Sequence, residues 1–128
     1  MMDYVQVKAY LLSKPEARED YPFGSDVMVP KIKCKMFATL SINKGEAQMN
    51  LKCEPNHAFE LRDIFPSVIE GYHMNKKHWN TVILDGSIPS GEIERMIDHS
   101  YSLVVKKLKK KERDALELSY GKDELYKT

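Results

Sequence analysis

Two short segments beside predicted turns are rich in lysine. The first segment carries Lys31, Lys33 and Lys35, and the second carries Asn75, Lys76, Lys77 and His78. Ammonium groups at exposed turns reach phosphate oxygens and release the counterions that surround a nucleic acid. Both sets therefore predict nucleic-acid contacts, to which Asn75 and Asn80 would add hydrogen bonds with sugars or base edges. In the competing interpretation, the lysines only keep strand ends soluble and discourage pairing between molecules.

Trp79 follows the second set directly, and two roles are open to it. An exposed indole ring could stack on an unpaired base. Its place at the start of an apolar strand pattern, ahead of Val82 and Leu84, favours packing in the core instead. We therefore predict a structural role for Trp79.

Cysteine and histidine residues offer weaker candidates for chemistry. Cys53 and His57 have the spacing of half a zinc site, but structural zinc needs four ligands in two short pairs, and the sequence contains no second pair. No motif of a known nucleophile surrounds Cys34 or Cys53. An enzyme built on Cys53 and His57 would require the two side chains to meet in a cleft. The six glycines are isolated, so they form no phosphate-binding loop. We expect a protein without enzymatic activity, metal or cofactor.

Length and composition are typical of an ordinary globular domain. The 128 residues, 42% hydrophobic and 30% charged, suit one domain with one core. No apolar run approaches the roughly 20 residues that span a bilayer, and the first residues lack a secretory pattern. With two cysteines only, no disulfide framework is expected. We predict a cytoplasmic monomer without a membrane partner, as a single domain over residues 1–128, with a core at about 3–118 and a frayed tail at 119–128.

The distribution of charge is more informative than its total. The net charge is +1 and the sequence pI is about 7.7, below the value of about 9 that is typical of strongly basic nucleic-acid-binding domains. Residues 31–53 nevertheless carry five lysines against one glutamate, which gives +4. Residues 74–79 carry two lysines and no acidic residue. The predicted contacts depend on these local concentrations of charge.

Apolar periodicity predicts strands enclosed by helices. Helical spacing predicts helices at 3–13, at 55–65, from Ser90 as N-cap to Leu108, and at 109–119, with a loop at 16–26 in which Tyr21 and Phe23 contact the core. Alternation predicts strands at 27–42, which folds back near Lys33-Cys34-Lys35, at 47–53, at 68–74 and at 79–84. This order predicts an α+β fold in which an antiparallel sheet packs against N-terminal and C-terminal helices.

A family resemblance is carried mainly by residues 72–86, which read YHMNKKHWNTVILDG and resemble the hallmark segment of the MmcQ/YjbR family. Pro22-Phe23-Gly24, residues 35–38 (KMFA) and the helix around Asp98, Ser100 and Tyr101 are similar to that family at the same places along the chain. The resemblance covers residues 3–118. Within it, Trp79 and Gly86 are identified as structural residues of the motif.

The resemblance implies a CyaY-like α+β fold and DNA binding through a double-wing arrangement of two hairpin tips. Cys34 departs from the family pattern, because glycine is common at that tip. CyaY-like folds also include frataxins, which bind iron through an acidic ridge. The acidic residues at positions 3–20 of this sequence are interrupted by Lys8, Lys14 and Arg18, so no iron binding is expected.

The leading hypothesis is a non-enzymatic DNA-binding protein that contacts the phosphate backbone with two basic hairpin tips. The alternative is a small module that binds another protein or a small molecule in the groove between the sheet and the helices. A strong dependence of binding on salt would favour the first hypothesis, and a concave apolar pocket would favour the second.

Overall fold

The computed structural model describes residues 2–71 and 74–127, which form one antiparallel sheet and several helices. The strands are β1 (Ala17–Asp20), β2 (Val27–Ile32), β3 (Lys35–Met36), β4 (Ala38–Asn43), β5 (Glu46–Lys52), β6 (Val68–Glu70) and β7 (Trp79–Ile83). The helices are α1 (Tyr4–Ser13), α2 (Pro55–Ile64), α3 (Ser90–Lys106), α4 (Lys110–Tyr120) and α5 (Lys122–Leu125). The predicted α+β class is confirmed. Tyr72 and His73, within the strand predicted at 68–74, lie outside the described residues.

The strands lie in the order β1-β2-β4-β5-β7-β6, with β3 paired to β2, and neighbouring strands are antiparallel. The reversal predicted near Lys33-Cys34-Lys35 is confirmed, and Lys33 makes the turn with a positive φ of 57°. Lys44 and Gly45 have φ values of 54° and 82°, which matches the tight hairpin turn predicted between β4 and β5. Local turn chemistry therefore sets both reversals.

A bulge at Phe37 joins β3 to β4 and ties the sheet to α3. Phe37 is fully buried, and its ring meets that of Tyr101 edge to face, with the centroids 5.2 Å apart. The Ser100 hydroxyl donates a hydrogen bond to the Phe37 carbonyl oxygen at 2.6 Å and accepts one from the Lys52 N–H at 2.9 Å. One buried hydroxyl of α3 thus holds the ends of two neighbouring strands.

The core lies between one face of the sheet and helices α1, α2 and α3. The apolar stripe predicted along α3 is buried there: Ile93, Met96, Ile97, Tyr101, Val104, Val105 and Leu108. Met49, Leu51 and Val82 approach from the sheet, because successive strand residues point to opposite faces. We call the opposite face the open face; its central side chains are Thr39, Asn50 and Thr81.

A buried ion pair anchors the end of α1 to α3. Lys14 Nζ lies 2.8 Å from Asp98 Oδ1, and the two side chains are 3% and 10% exposed. The Tyr10 hydroxyl donates to the same carboxylate oxygen at 2.7 Å, and the Tyr101 hydroxyl donates to the Pro15 carbonyl oxygen at 2.7 Å. The charged groups therefore have partners in a region from which water is excluded.

Three local predictions were wrong. The loop predicted at 16–26 contains the edge strand β1, whose charged residues form a strand because they pair with β2 rather than through their own propensity. Tyr21 and Phe23 are 42% and 64% exposed, so they do not contact the core as predicted. The residue that caps α3 is Pro89 instead of Ser90.

The prediction of a frayed tail at 119–128 was also wrong. Residues 119 and 120 end α4, Lys122–Leu125 forms α5, and Leu125 is fully buried, while Thr128 lies outside the described residues. The Tyr126 hydroxyl donates to Glu117 Oε2 at 2.6 Å, and Lys106 Nζ lies 5.5 Å from the Tyr126 ring centroid. One apolar side chain and one aromatic ring order this segment, whose local sequence is mostly charged. None of the helices in the described part of the chain is long and apolar enough to cross a membrane.

Replacing Lys14 with methionine is expected to lower the free energy of unfolding by about 3–5 kcal/mol, because Asp98 then becomes a buried charge without its partner. A Lys14→Met/Asp98→Asn double variant is expected to recover part of that loss, since a neutral amide needs no counter-charge. Urea unfolding of both variants and of the wild type measures the change.

The matched control is Lys8→Met, which removes the exposed pair between Lys8 and Glu19, 3.4 Å apart. This variant is expected to keep the wild-type urea midpoint, because water and salt screen the pair. If Lys14→Met kept the same midpoint as the control, the buried pair would not be the anchor of α1.

Candidate nucleic-acid interface

Both predicted tips project from the same end of the sheet. Strands β2 and β6 run in the same direction, because three antiparallel steps separate β2 from β7 and one more leads to β6. The tips are therefore three strand spacings apart, or about 14 Å at about 4.8 Å per strand. We call this end the basic edge; it comprises the turn at 33–35, Lys52 at the end of β5, and the loop at 74–78.

The first tip is electrically compensated by β1 and the residue before it. Lys33 Nζ lies 2.9 Å from Glu16 Oε1, and Lys31 Nζ lies 2.8 Å from Asp20 Oδ2. Hydrogen bonds from these lysines lower the pKa of Glu16 and of Asp20. Lys31 lies on β2 rather than at the exposed tip where it was predicted, and its side chain is half-buried. Lys35 is exposed, and no ion pair of its side chain is found among the described residues.

The second tip is held by the backbone and side chain of Asn75. The Asn75 carbonyl oxygen accepts hydrogen bonds from the N–H groups of His78 at 3.1 Å and Trp79 at 2.9 Å. Its Oδ1 accepts one from the Lys77 N–H at 3.0 Å. Asn75 therefore shapes the turn, while Lys77 and His78 are exposed. Lys76 makes a loose pair with Glu70, 3.7 Å apart, and both side chains are more than half exposed.

Arg62 reaches this tip from α2, and the sequence analysis did not select it. Its Nη1 donates to Asn80 Oδ1 at 2.8 Å and to the Lys76 carbonyl oxygen at 3.4 Å. Asn80 Nδ2 donates to the Ala58 carbonyl oxygen at 3.3 Å, and Asn80 is 2% exposed. The predicted contact of Asn80 with nucleic acid is therefore wrong, because the fold uses both ends of its amide. The sequence analysis did not select Lys52 either. In the sequence it is only one polar residue of the alternating pattern at 47–53.

Trp79 lies on the open face, and the prediction that it packs in the core is wrong. It pairs with Lys52 across β5 and β7, so the two side chains point away from the helices. Trp79 is half-buried. Its backbone is tightly packed against Gly71: a Cβ atom at Gly71 would lie 2.8 Å from both the Trp79 Cβ and its carbonyl oxygen. At the base of the second tip, Trp79 thus leaves no room for a side chain at position 71.

Comparison with known proteins identifies the family. A sequence model of the YjbR family matches residues 12–103. This protein belongs to the YjbR family. It is 36% identical to the uncharacterized protein YbdF of Escherichia coli O157:H7 over 106 residues, which cover 83% of this chain and 87% of the relative. It is 30% identical to the uncharacterized protein YjbR of Escherichia coli K12 over 115 residues, or 90% of this chain and 98% of the relative.

Two solved structures have a similar fold. The crystal structure of Deinococcus radiodurans protein DR2400, with a DUF419 domain, aligns with a TM-score of 0.83 and 35% identity over 91% of this chain and 88% of that chain. A crystal structure of a Pseudomonas syringae protein aligns with a TM-score of 0.70 and 30% identity, over 80% of this chain and 98% of that chain. The resemblance to the MmcQ/YjbR family is therefore confirmed, together with the α+β fold.

The YjbR hallmark segment ends in a hydrogen-bonded turn at the opposite end of the sheet. Gly86 has a positive φ of 86°, so the structural role predicted for it is the formation of this turn. Asp85 accepts hydrogen bonds from the Ser67 hydroxyl at 2.5 Å, the Ser87 N–H at 3.0 Å and the Ser87 hydroxyl at 2.6 Å. These hydrogen bonds, of which the one from Ser67 has the largest effect, lower the pKa of Asp85 to about 2. The turn thus joins the start of β6 to the end of β7.

Other candidates for chemistry are not brought together. Burial raises the pKa of the Cys53 thiol to about 12, so it remains protonated at neutral pH. The His57 ring instead meets the His99 ring, with the centroids 5.1 Å apart, and within the described ranges no hydrogen bond links His57 to Cys53. Among residues 2–71 and 74–127, no three His, Cys, Asp or Glu side chains are placed to hold a metal ion.

The groove predicted between the sheet and the helices is filled by core side chains. A cavity of about 10 Å³ lies there, lined in part by Cys53, Asn80 and His99. A larger groove, of about 440 Å³, lies on the open face between Phe23 and Met74. The location predicted for the alternative binding site is therefore wrong, because α2 and α3 close the face on which it was expected.

Replacing Gly71 with alanine is expected to lower the free energy of unfolding by about 1–3 kcal/mol, the usual cost of an atom forced into packed surroundings. The added Cβ meets backbone and Cβ atoms of Trp79, which cannot rotate away. Gly91→Ala is the control, because nothing lies within 4 Å of its added Cβ; it is expected to stabilise the protein by about 0.4–1 kcal/mol. Similar unfolding midpoints for the two variants would contradict the tight contact at Gly71.

Asp85→Asn is expected to destabilise the protein at neutral pH and to lose this effect in acid. The folded pKa of Asp85, about 2, lies below the unfolded value of about 3.9. Its ionised form therefore contributes stability above about pH 4, and that contribution is lost as the pH falls toward 2. Urea midpoints of the variant and the wild type between pH 7 and pH 2.5 should converge. A gap that stays constant with pH would exclude this role.

Proposed function

We propose that this protein binds DNA without enzymatic activity, through the two tips of its basic edge. The observation that carries the proposal is that both tips project from one end of the sheet, about 14 Å apart at the usual strand spacing. The major groove of DNA is about 12 Å wide. Two tips at this separation suit contacts with phosphates on both sides of one groove.

The electrostatics of the edge support weak, salt-sensitive binding. Two of its lysines, Lys33 and Lys76, are paired with the carboxylates of Glu16 and Glu70. Exposed pairs of this kind contribute little, so a phosphate can replace a carboxylate at small cost. The same carboxylates oppose binding when they remain nearby. This competition, together with a net charge of only +1, predicts modest affinity with little dependence on base sequence.

Free thiols support the proposal that the protein acts in the cytoplasm. Cys34 is exposed and Cys53 is buried, and neither forms a disulfide in the described structure. Reduced cysteines are typical of a compartment with a reducing potential. We propose a monomer in that compartment, because each tip belongs to the same sheet and the two can act together within one chain.

A second candidate function is the binding of a small molecule on the open face. The groove there, about 440 Å³, falls within the range of about 300–1,000 Å³ that is common for small-ligand sites. Asn50 at its floor donates to Thr39 Oγ1 at 2.9 Å and accepts from the Thr81 hydroxyl. The lining also includes Asp26, Ser41 and Gln48, so its polar groups suit a hydrogen-bonding ligand. This candidate predicts no salt-dependent binding of DNA.

Two double variants test the proposed DNA binding: Lys76→Gln/Lys77→Gln at the second tip and Lys33→Gln/Lys35→Gln at the first. Fluorescence anisotropy of a labelled duplex, measured at several salt concentrations, gives the affinity and its salt slope. If about four phosphates are neutralised, the wild-type log–log slope is expected near −3.6, and each double variant should make it shallower by about 1.8.

The control for these variants is Lys44→Gln, in the turn at the opposite end of the sheet. It removes one exposed positive charge without touching the basic edge, so the salt slope should remain that of the wild type. All variants should keep the wild-type unfolding midpoint, because the replaced side chains are exposed. Binding that falls equally in the control and in both double variants would show a general charge effect and would sink the proposal.

A further inference from the structure

A groove beside the second tip combines positive charge with an exposed aromatic ring. It lies between α2 and the loop at 74–78 and has a volume of about 380 Å³. Its lining includes Asn56, Phe59, Arg62, Glu70, Lys76 and Lys77. Three cations and one carboxylate give this small surface a formal charge of +2. The lining therefore complements an anion that also has an apolar part.

Phe59 is the apolar element of the groove. It is 67% exposed, although it lies one residue after the buried Ala58 on a helix whose other face fills the core. A single exposed apolar side chain needs no explanation by itself. This ring, however, lines the same groove as two lysines and an arginine, and successive bases stack on such rings in proteins that bind single strands.

Arg62 is the most rigid cation of the groove. Its two hydrogen bonds within the described residues, to Asn80 Oδ1 at 2.8 Å and to the Lys76 carbonyl oxygen at 3.4 Å, are both made by Nη1. Among the described residues, its Nη2 and Nε groups have no hydrogen-bond partner. A guanidinium fixed by one nitrogen keeps its remaining donors in place for a phosphate.

The N-terminus of α2 does not supply the positive charge of this groove. Glu54 caps α2, and its carboxylate accepts hydrogen bonds from the N–H groups of Asn56 at 3.1 Å and His57 at 3.2 Å. The anion-binding capacity of the groove therefore belongs to its side chains. Among the described residues, Lys76 makes one ion pair, the loose and exposed pair with Glu70, and Lys77 makes none.

We propose that this groove binds an unpaired nucleotide of single-stranded DNA, with the base on Phe59 and the adjacent phosphates at Arg62, Lys76 and Lys77. The inference rests on the proposed DNA binding and adds a contact with an unpaired base to it. A base within a duplex has both faces covered by its neighbours, so it cannot stack on a protein ring unless it leaves the helix. The groove therefore adds a site for an unpaired nucleotide beside the duplex phosphates that the two tips are proposed to contact.

The test compares three labelled probes by fluorescence anisotropy at one low salt concentration: a twelve-residue oligothymidylate, an abasic oligonucleotide of the same length, and a duplex. Phe59→Ala is expected to weaken oligothymidylate binding by about 5- to 150-fold, the range that corresponds to the loss of one base–aromatic stack. Binding of the abasic strand and of the duplex should change by less than about twofold, because neither probe offers a free base face.

Two further variants keep the test specific. Phe59→Trp should restore or exceed wild-type affinity for oligothymidylate, because it retains a flat ring. Leu118→Ala removes another exposed apolar side chain, 90% exposed on α4, and should leave all three affinities unchanged. Thermal unfolding of each variant should match the wild type, since the replaced side chains are largely in water.

Failure of this inference can be separated from failure of the proposed function. If Phe59→Ala weakens the abasic strand as much as oligothymidylate, or weakens neither, base stacking is excluded. If free thymidine monophosphate displaces oligothymidylate with comparable affinity, the groove is a mononucleotide site instead. In each of these cases DNA binding still stands if Lys76→Gln/Lys77→Gln weakens all three probes. Absence of binding to every probe at low salt would overturn both proposals.

Discussion

The two hydrogen bonds of the Ser100 hydroxyl are the contacts on which the packing of α3 against the sheet depends most. This hydroxyl joins α3 to the Phe37 carbonyl oxygen and to the Lys52 N–H, at the ends of β4 and β5 from which the basic edge projects. Both backbone groups are at points where the regular ladder of the sheet is interrupted, so without this hydroxyl they would be left without partners in the core. The edge therefore has a rigid base, although its tips are exposed turns.

The basic edge combines groups that are fixed with groups that are free to exchange partners. Asn75 and Arg62 set the path of the second tip through hydrogen bonds to backbone and to Asn80. The lysines, by contrast, are held by exposed carboxylates or are unpaired within the described structure. Mobile charges on a fixed frame are what the proposed contacts with phosphates require, because such contacts need no fixed geometry toward individual bases.

The two faces of the sheet have different consequences for function. On one face, α1, α2 and α3 pack against the core side chains, where a cavity of about 10 Å³ lies. On the open face, alternate side chains of the same strands form a polar row beneath a groove of about 440 Å³. The DNA-binding proposal uses neither face, because its contacts lie at the end of the sheet and on the outer side of α2.

Local patterns were enough to predict most of the elements. The apolar stripe of α3, the reversal near Lys33 and the turn before Gly45 depend on residues that are neighbours in the sequence, so periodicity and turn chemistry identify them. The remaining features depend on pairing between strands that are far apart in the sequence. The register between β5 and β7 puts Trp79 on the open face, and pairing with β2 turns the charged segment at Ala17–Asp20 into a strand. The partners of Lys33 and Arg62 are likewise 17 and 18 residues away. A side chain's face, its burial and its counter-charge depend on which distant residues meet it, and only the packed chain brings those residues together.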